Sequence, residues 1–277
     1  MTSFTEYLAA RWAGDFQHRY AISKHHAWKE WRDRPDGDAM TWSCTSLREA
    51  AERYSWGKEE VGDAFKGFAN SLARAISDDD TARCGELCLE IFRWGGVARF
   101  SGDSSRQWVE RHRASGALPT MLAKARSLLL GGGSLEAFDG DRLLMNAAMT
   151  KVYAASAPEG QLIIYDGRVG GALGLLAREY LREQGQQKVP GELAFRWGPA
   201  RATASRQIER NPSEGSWKFS SLYRDPRRHQ IHAALVRDSS RLLTEASALV
   251  RAAGGQATPA CFERALFMIG YDVRRAG

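Results

Sequence analysis

Residues 146–176 read NAAMTKVYAASAPEGQLIIYDGRVGGALGLL, and this stretch sets the expected fold. Between Ala147 and Ala157 the single charged residue is Lys151, set among Ala, Met, Val and Tyr in a segment of helical character. Pro158 ends that helix, because proline lacks the amide hydrogen that a further turn requires. A short apolar run, Gln161–Tyr165, follows. Asp166 then stands directly before GRVGGALGLLAREYLREQ, where a carboxylate can cap the first amides of a helix that Gly185 closes.

Outward from this core the punctuation stays helical. Ser46-Leu47-Arg48-Glu49 and Ser104-Ser105-Arg106-Gln107 both have capping-box form. Asp79, Asp80 and Thr81 offer caps for TARCGELCLEIFRW, which stops at Gly95-Gly96. Pro119 suits the first turn of a helix ending at Gly131-Gly132-Gly133, and Asp139 is expected to cap DRLLMNAAMTKVYAASA. Arg227 to Ala252 reads as a long amphipathic helix, and Thr258-Pro259 opens a last one. QLIIY at 161–165 is the one strand-like run, and at five residues it is equally an extended connection. The expected class is therefore mainly α, a single unit over 1–277 with two helical lobes facing each other across a cleft. The candidate lobes are 1–185, with Lys151 and Asp166, and 186–277, with the basic C-terminal helices.

With 43% hydrophobic and 26% charged residues in 277, the chain is not wholesale disordered. No apolar run approaches the roughly 18 residues that span a bilayer, so no membrane partner is expected. The first residues show no basic region followed by an apolar core, so no secretory leader is expected either. Cys44, Cys84, Cys88 and Cys261 are too few and too scattered for a disulfide scaffold, and read as reduced thiols of a cytoplasmic protein. Cys84 and Cys88 have no second pair at zinc-ligand spacing, and His25-His26 stand alone. Gly131-Gly132-Gly133 is followed by Ser-Leu-Glu, not by the lysine of a phosphate-binding loop. Neither a metal nor another cofactor is expected.

The net charge of +6 is concentrated. From Arg196 to Arg241 ten basic residues face four acidic ones, so that window carries the whole excess. Arginine outnumbers lysine 31 to 8, which favours forked contacts to phosphate. A polyanion partner and an incidental solvated face both fit this pattern.

Lys151 and Asp166 are the candidate chemistry. Apolar surroundings strip hydration from a lysine, which lowers its pKa and frees the neutral amine to act as a nucleophile. On the pattern alone two readings stay open for each residue. Lys151 either serves as that nucleophile or snorkels from an apolar face, and Asp166 either aims an oxygen into a cleft or is an N-cap only.

M-T-K-V-Y at 149–153, followed by I-I-Y-D-G-R-V-G-G-A-L at 163–173, resembles the core of the helix–hairpin–helix DNA glycosylases, most closely their 8-oxoguanine DNA glycosylase-like branch. The resemblance covers about thirty residues and extends weakly to Trp217-Lys218-Phe219 and Arg227-Arg228-His229. Lys151 matches the family's lysine, and Asp166 and Val169 match its aspartate and valine. Two features depart from it. Asn146-Ala147-Ala148-Met149 stands where the family has a glycine-bearing hairpin, so either a different turn or an uninterrupted helix is expected there. The four-cysteine iron–sulfur loop is missing, as in branches without a cluster.

The resemblance implies excision of a modified base from double-stranded DNA in base-excision repair, with accompanying AP-lyase activity. Asp166 would stabilise an oxocarbenium-like transition state, and Lys151 would attack the anomeric carbon and form a Schiff base. The target nucleotide must first be flipped out of the duplex. Trp94, Trp197, Trp217 and Tyr223 are the candidate base pocket. Arg168, Arg201, Arg206, Arg224, Arg227 and Arg228 are the candidate phosphate contacts. The branch it resembles implies an oxidised purine as the excised base. The departure at the hairpin leaves open the alternative of a bulky modified cytosine, such as glucosylated hydroxymethylcytosine in phage DNA, which would make the protein an antiviral defence enzyme. The competing classes are a non-catalytic DNA-binding or adaptor protein and a helical protein-interaction module.

Overall fold

The computed structural model describes residues 2–22, 40–56, 61–200 and 208–274. His25, His26, Arg201 and Arg206 lie outside the described residues. In chain order the elements are α1 (Phe4–Ala13), β1 (His18–Ile22), β2 (Met40–Cys44), α2 (Leu47–Glu52), α3 (Val61–Ser77), α4 (Thr81–Trp94), α5 (Ser104–Ala114), α6 (Leu118–Leu130), α7 (Met149–Ser156), α8 (Gly167–Glu183), α9 (Arg228–Ala252) and α10 (Pro259–Ile269). The chain is mainly α, as expected. Among the described residues no helix is long and apolar enough to cross a membrane.

The chain gathers into two compact units, each discontinuous in sequence. One comprises residues 1–59, 166–224 and 242–277, and the other comprises 60–165 and 225–241. The expected lobe boundary at residue 185 falls inside the first of these, because each core is completed by segments distant in sequence.

In the first unit α10 packs against α2 and α8. Ser3 caps α1 in a reciprocal box with Glu6, and the apolar face of α1 meets aromatic partners from far along the chain. Phe4 lies 5.4 Å from Tyr180 and 5.8 Å from Phe195 between ring centres, and Trp12 lies 4.6 Å from Phe262. β1 and β2 pair antiparallel, with Tyr20 opposite Trp42 and their rings stacked at 4.9 Å. Alternate residues of β1 are buried, and His18 and Tyr20 reach the carbonyls of Asp272 and Met268 at 2.8 Å each. This sheet is absent from the expectations above.

The second unit is a bundle of α3 to α7, closed by the start of α9. Asp80 caps α4, accepting from the Arg83 amide at 2.9 Å. The helix closes with the Gly96 amide donating to Arg93 and the Val97 amide donating to Phe92, and Gly96 supplies the left-handed φ of 61°. Two helix starts differ from expectation, and one open reading is resolved. The helix expected from Asp139 begins only at Met149. Asp139 instead accepts from the Asp141 and Arg142 amides and from the Arg142 guanidinium, which holds residues 139–142 in a turn. The Ser104 box does not form either, because α5 starts at Ser104 itself and Asp103 sends its carboxylate to the Phe100 amide at 3.0 Å. Finally, QLIIY is a connection: the Ile163 amide donates to Ser240 Oγ at 3.1 Å and the Tyr165 amide to Thr150 Oγ1 at 3.0 Å.

Candidate functional site

Lys151 belongs to the second unit. Asn146 holds the entry to α7, its Oδ1 accepting from the Ala148 and Met149 amides at 2.9 and 3.0 Å while its amide group donates to Ser105 Oγ at 2.8 Å. A side-chain-capped turn therefore stands where the resembled family has its hairpin, and the helix does not run through it. Every residue of α7 is buried. Lys151 itself is 6% exposed, and its Nζ donates to the Ala147 carbonyl at 3.0 Å. Its stem occupies a notch left by Gly95 at the end of α4. A Cβ on Gly95 would lie 2.6 Å from Lys151 Cδ and 2.8 Å from Cε. Trp94, the preceding residue, is half-buried with its ring 5.0 Å from that of Phe65.

Asp166 belongs to the first unit. Its backbone is extended, and its Oδ1 accepts from the Arg168 and Val169 amides at 2.9 and 3.2 Å, so it caps α8. The helix beyond it presents Gly167, Gly171 and Gly174 on one face, at spacings of four and three residues. Cβ atoms at these positions would fall 2.5–2.9 Å from Gly198, the Arg210 carbonyl and Pro212 respectively. The three glycines thus admit Gly198, Arg210 and Pro212 close against the helix backbone. The Gly198 amide donates to the Gly167 carbonyl at 3.2 Å.

This packing assembles a charged cluster at the start of α8. Burial lowers the pKa of Arg210 to about 10, with repulsion from Arg168 adding and attraction to Asp166 opposing. Partial desolvation of its hydroxyl raises the Tyr223 phenol, and the Asp166 charge raises it further, although the residue as a whole is exposed. Burial also lowers the Arg168 guanidinium, which lies over the rings of Phe267, Tyr271 and Trp56 at 4.3, 5.2 and 5.8 Å. The structure thus sets Arg168 among aromatic faces.

The sequence candidates divide accordingly. Asp166, Arg168, Trp197 and Tyr223 gather at the N-terminal end of α8, where a Cβ on Gly198, next to Trp197, would lie 2.9 Å from the Tyr223 hydroxyl. Trp217 is elsewhere: its Nε1 donates to the Gln186 carbonyl at 2.9 Å and Arg182 covers its ring, at the far end of a helix about 25 Å long. Arg224 is exposed in the first unit, and Arg227 and Arg228 are exposed at the start of α9 in the second. The basic window is also partly structural. Arg237 donates to the carbonyls of Leu128 and Gly133 at 2.6 and 2.7 Å, and Arg241 to that of Gly131 at 3.0 Å, which meets the negative end of α6.

Arg210, Gly95 and Asn146 are functional-site neighbours that the sequence reading did not single out. Asn146 before a helical run and Gly95 as a helix stop were legible as local signals, but not as parts of a site. Among the described residues no group of three or more His, Cys, Asp or Glu side chains is placed to hold a metal ion. Comparison of the chain with family models, curated proteins and solved structures finds no match.

Proposed function

We propose that this protein is a DNA glycosylase that excises a modified base and cleaves the resulting abasic strand, with Lys151 as nucleophile and Asp166 as the stabilising carboxylate. One observation carries the reading: a lone lysine on a wholly buried helix, its stem lodged in a glycine notch and its amine anchored to a backbone carbonyl. A solvated surface lysine needs none of these. The resemblance of residues 149–173 supplies the reaction class.

In this reaction the Lys151 nitrogen bonds to C1′ of the deoxyribose as the glycosidic bond breaks, and the bonding pair leaves with the base, which takes up a proton. Positive charge builds on the sugar, and the Asp166 carboxylate balances it. The sugar ring opens to an iminium. Loss of a C2′ proton then expels the 3′ phosphate, which cuts the strand. Exposed Arg224, Arg227 and Arg228 supply phosphate contacts that set affinity and register.

The test is a base-release screen on duplexes carrying oxidised purines or bulky modified cytosines, with released bases identified by mass. The wild type releases a base from one class, and Asp166→Asn slows that release. DNA binding without release from any substrate, and without a borohydride-trapped adduct on abasic DNA, would instead make this a non-catalytic DNA-binding protein.

A further inference from the structure

The most exposed large apolar side chain described is not at either candidate residue but on the loop after α4. Phe100 is 74% exposed, against 37–46% for Leu130, Leu249 and Tyr223. Its backbone is nonetheless fixed. The Phe100 amide donates to Asp103 Oδ2 and the Asp103 amide returns to the Phe100 carbonyl, both at 3.0 Å. Upstream the loop is set by the α4 closure and by Ala98, which holds a left-handed φ of 46° that a side chain rarely adopts. A constrained loop presenting a bare aromatic ring costs stability and solubility without improving any core. Beside it lies a depression of about 560 Å³ lined by Leu89, Phe92, Val97 and the arginines Arg93, Arg99 and Arg106. Arg106 also pairs with Glu110 at 3.0 Å, and Arg93 Nε donates to the Leu89 carbonyl at 3.4 Å. The loop starts at Gly95, the residue against the Lys151 stem, so at most about 17 Å of extended chain separates Phe100 from that notch.

An exposed ring on a hydrogen-bonded backbone, flanked by cations, suits one ligand chemistry: an unstacked base with its neighbouring phosphates. Base–aromatic stacking gives affinity without sequence preference, and the guanidinium groups track the backbone. We infer that Phe100 stacks on an unpaired DNA base, with Arg99 and its two neighbouring arginines holding the adjoining phosphates. The inference rests on the proposed glycosylase reading for its choice of DNA as ligand.

The test is binding of the full chain to a fluorescein-labelled duplex bearing one 2-aminopurine opposite an abasic analogue, followed by anisotropy and by aminopurine emission. Phe100→Ala should weaken binding about tenfold to a hundredfold, the range typical of one lost base stack, and should abolish the change in aminopurine emission. Phe100→Trp should restore both. Arg99→Ala should lower the slope of log affinity against log salt by about 0.9, one phosphate contact. Full affinity and emission response in Phe100→Ala, with thermal unfolding matching wild type, would overturn the inference even if base release occurs. The losses in Phe100→Ala would uphold it even if no base is released, which separates it from the glycosylase reading. A Phe100→Ala defect confined to binding of another protein, with DNA binding intact, would also overturn it.

Discussion

Gly95→Ala is the sharpest probe of Lys151, because the structure separates its effect on stability from its effect on chemistry. Gly95 has φ −75° and ψ −3°, ordinary right-handed helical values that alanine adopts without strain. By itself the change should stabilise the fold by about 0.4–1 kcal/mol through a less flexible unfolded chain. Against this, the new methyl would stand 2.6 Å from Lys151 Cδ and 3.3 Å from the Ile91 carbonyl. Restoring ordinary contact moves the lysine stem by about 0.8 Å, a repacking strain of roughly 1 kcal/mol at the low end of overpacking because the stem is flexible. The net change in unfolding free energy is therefore close to zero. The amine, however, moves by nearly the distance whose misplacement typically slows catalysis about a hundredfold. The assay pairs urea unfolding with the rate of borohydride trapping on abasic DNA. Gly102→Ala, whose Cβ meets nothing within 4 Å, is the control. A Gly95→Ala protein that unfolds like wild type and traps at the wild-type rate would refute the idea that this notch positions a nucleophile.

Asp166 offers a second separation of structure from chemistry. Asp166→Ala should cost about 1 kcal/mol in urea unfolding, because two helix amides lose their acceptor, whereas Asp166→Asn should keep the cap and slow base release. Within the basic window, Arg228→Ala should lower the salt slope of DNA binding by about 0.9, while Arg237→Ala should leave it unchanged and lower stability, since its guanidinium is spent on the Leu128 and Gly133 carbonyls. Burial depresses the pKa of His18, with the hydrogen bond to the Asp272 carbonyl opposing. The unfolded chain then binds the proton more readily than the folded one. Unfolding free energy should fall as pH drops below the unfolded value of about 6.5, and His18→Gln should flatten that dependence in urea titrations at pH 7 and 5.

The helices that could be read from sequence carry their stop and start signals locally. Asp80, Thr258 and Asp166 cap the helices that follow them, and Gly95-Gly96 closes α4, because each signal acts within one turn. The misread connection at 139–148 depends on long-range partners. The Asp141 carbonyl accepts from Trp108 and Arg111, and Gly140 needs a φ of 97°, so a helix through this segment would lose all three. The sheet was hidden for a related reason: β1 and β2 are short, and β1 is anchored by the carbonyls of Met268 in α10 and Asp272 just beyond it, more than 200 positions away. Lys151 was legible as a lone charge among small apolar residues, but the notch at Gly95 lies 56 positions earlier and leaves no pattern in the sequence. The basic window misleads in part, since charge counting cannot distinguish Arg237, bound to carbonyls over 100 residues back, from the exposed Arg227 and Arg228.

Peptide mapping of the borohydride-reduced complex with abasic DNA tests the account most directly. Hydride should convert the iminium to a stable secondary amine and leave the deoxyribose remnant on Lys151 alone, and Lys151→Ala should yield no adduct. A remnant on another lysine or on the N-terminal amine, or an undiminished adduct in Lys151→Ala, would contradict it.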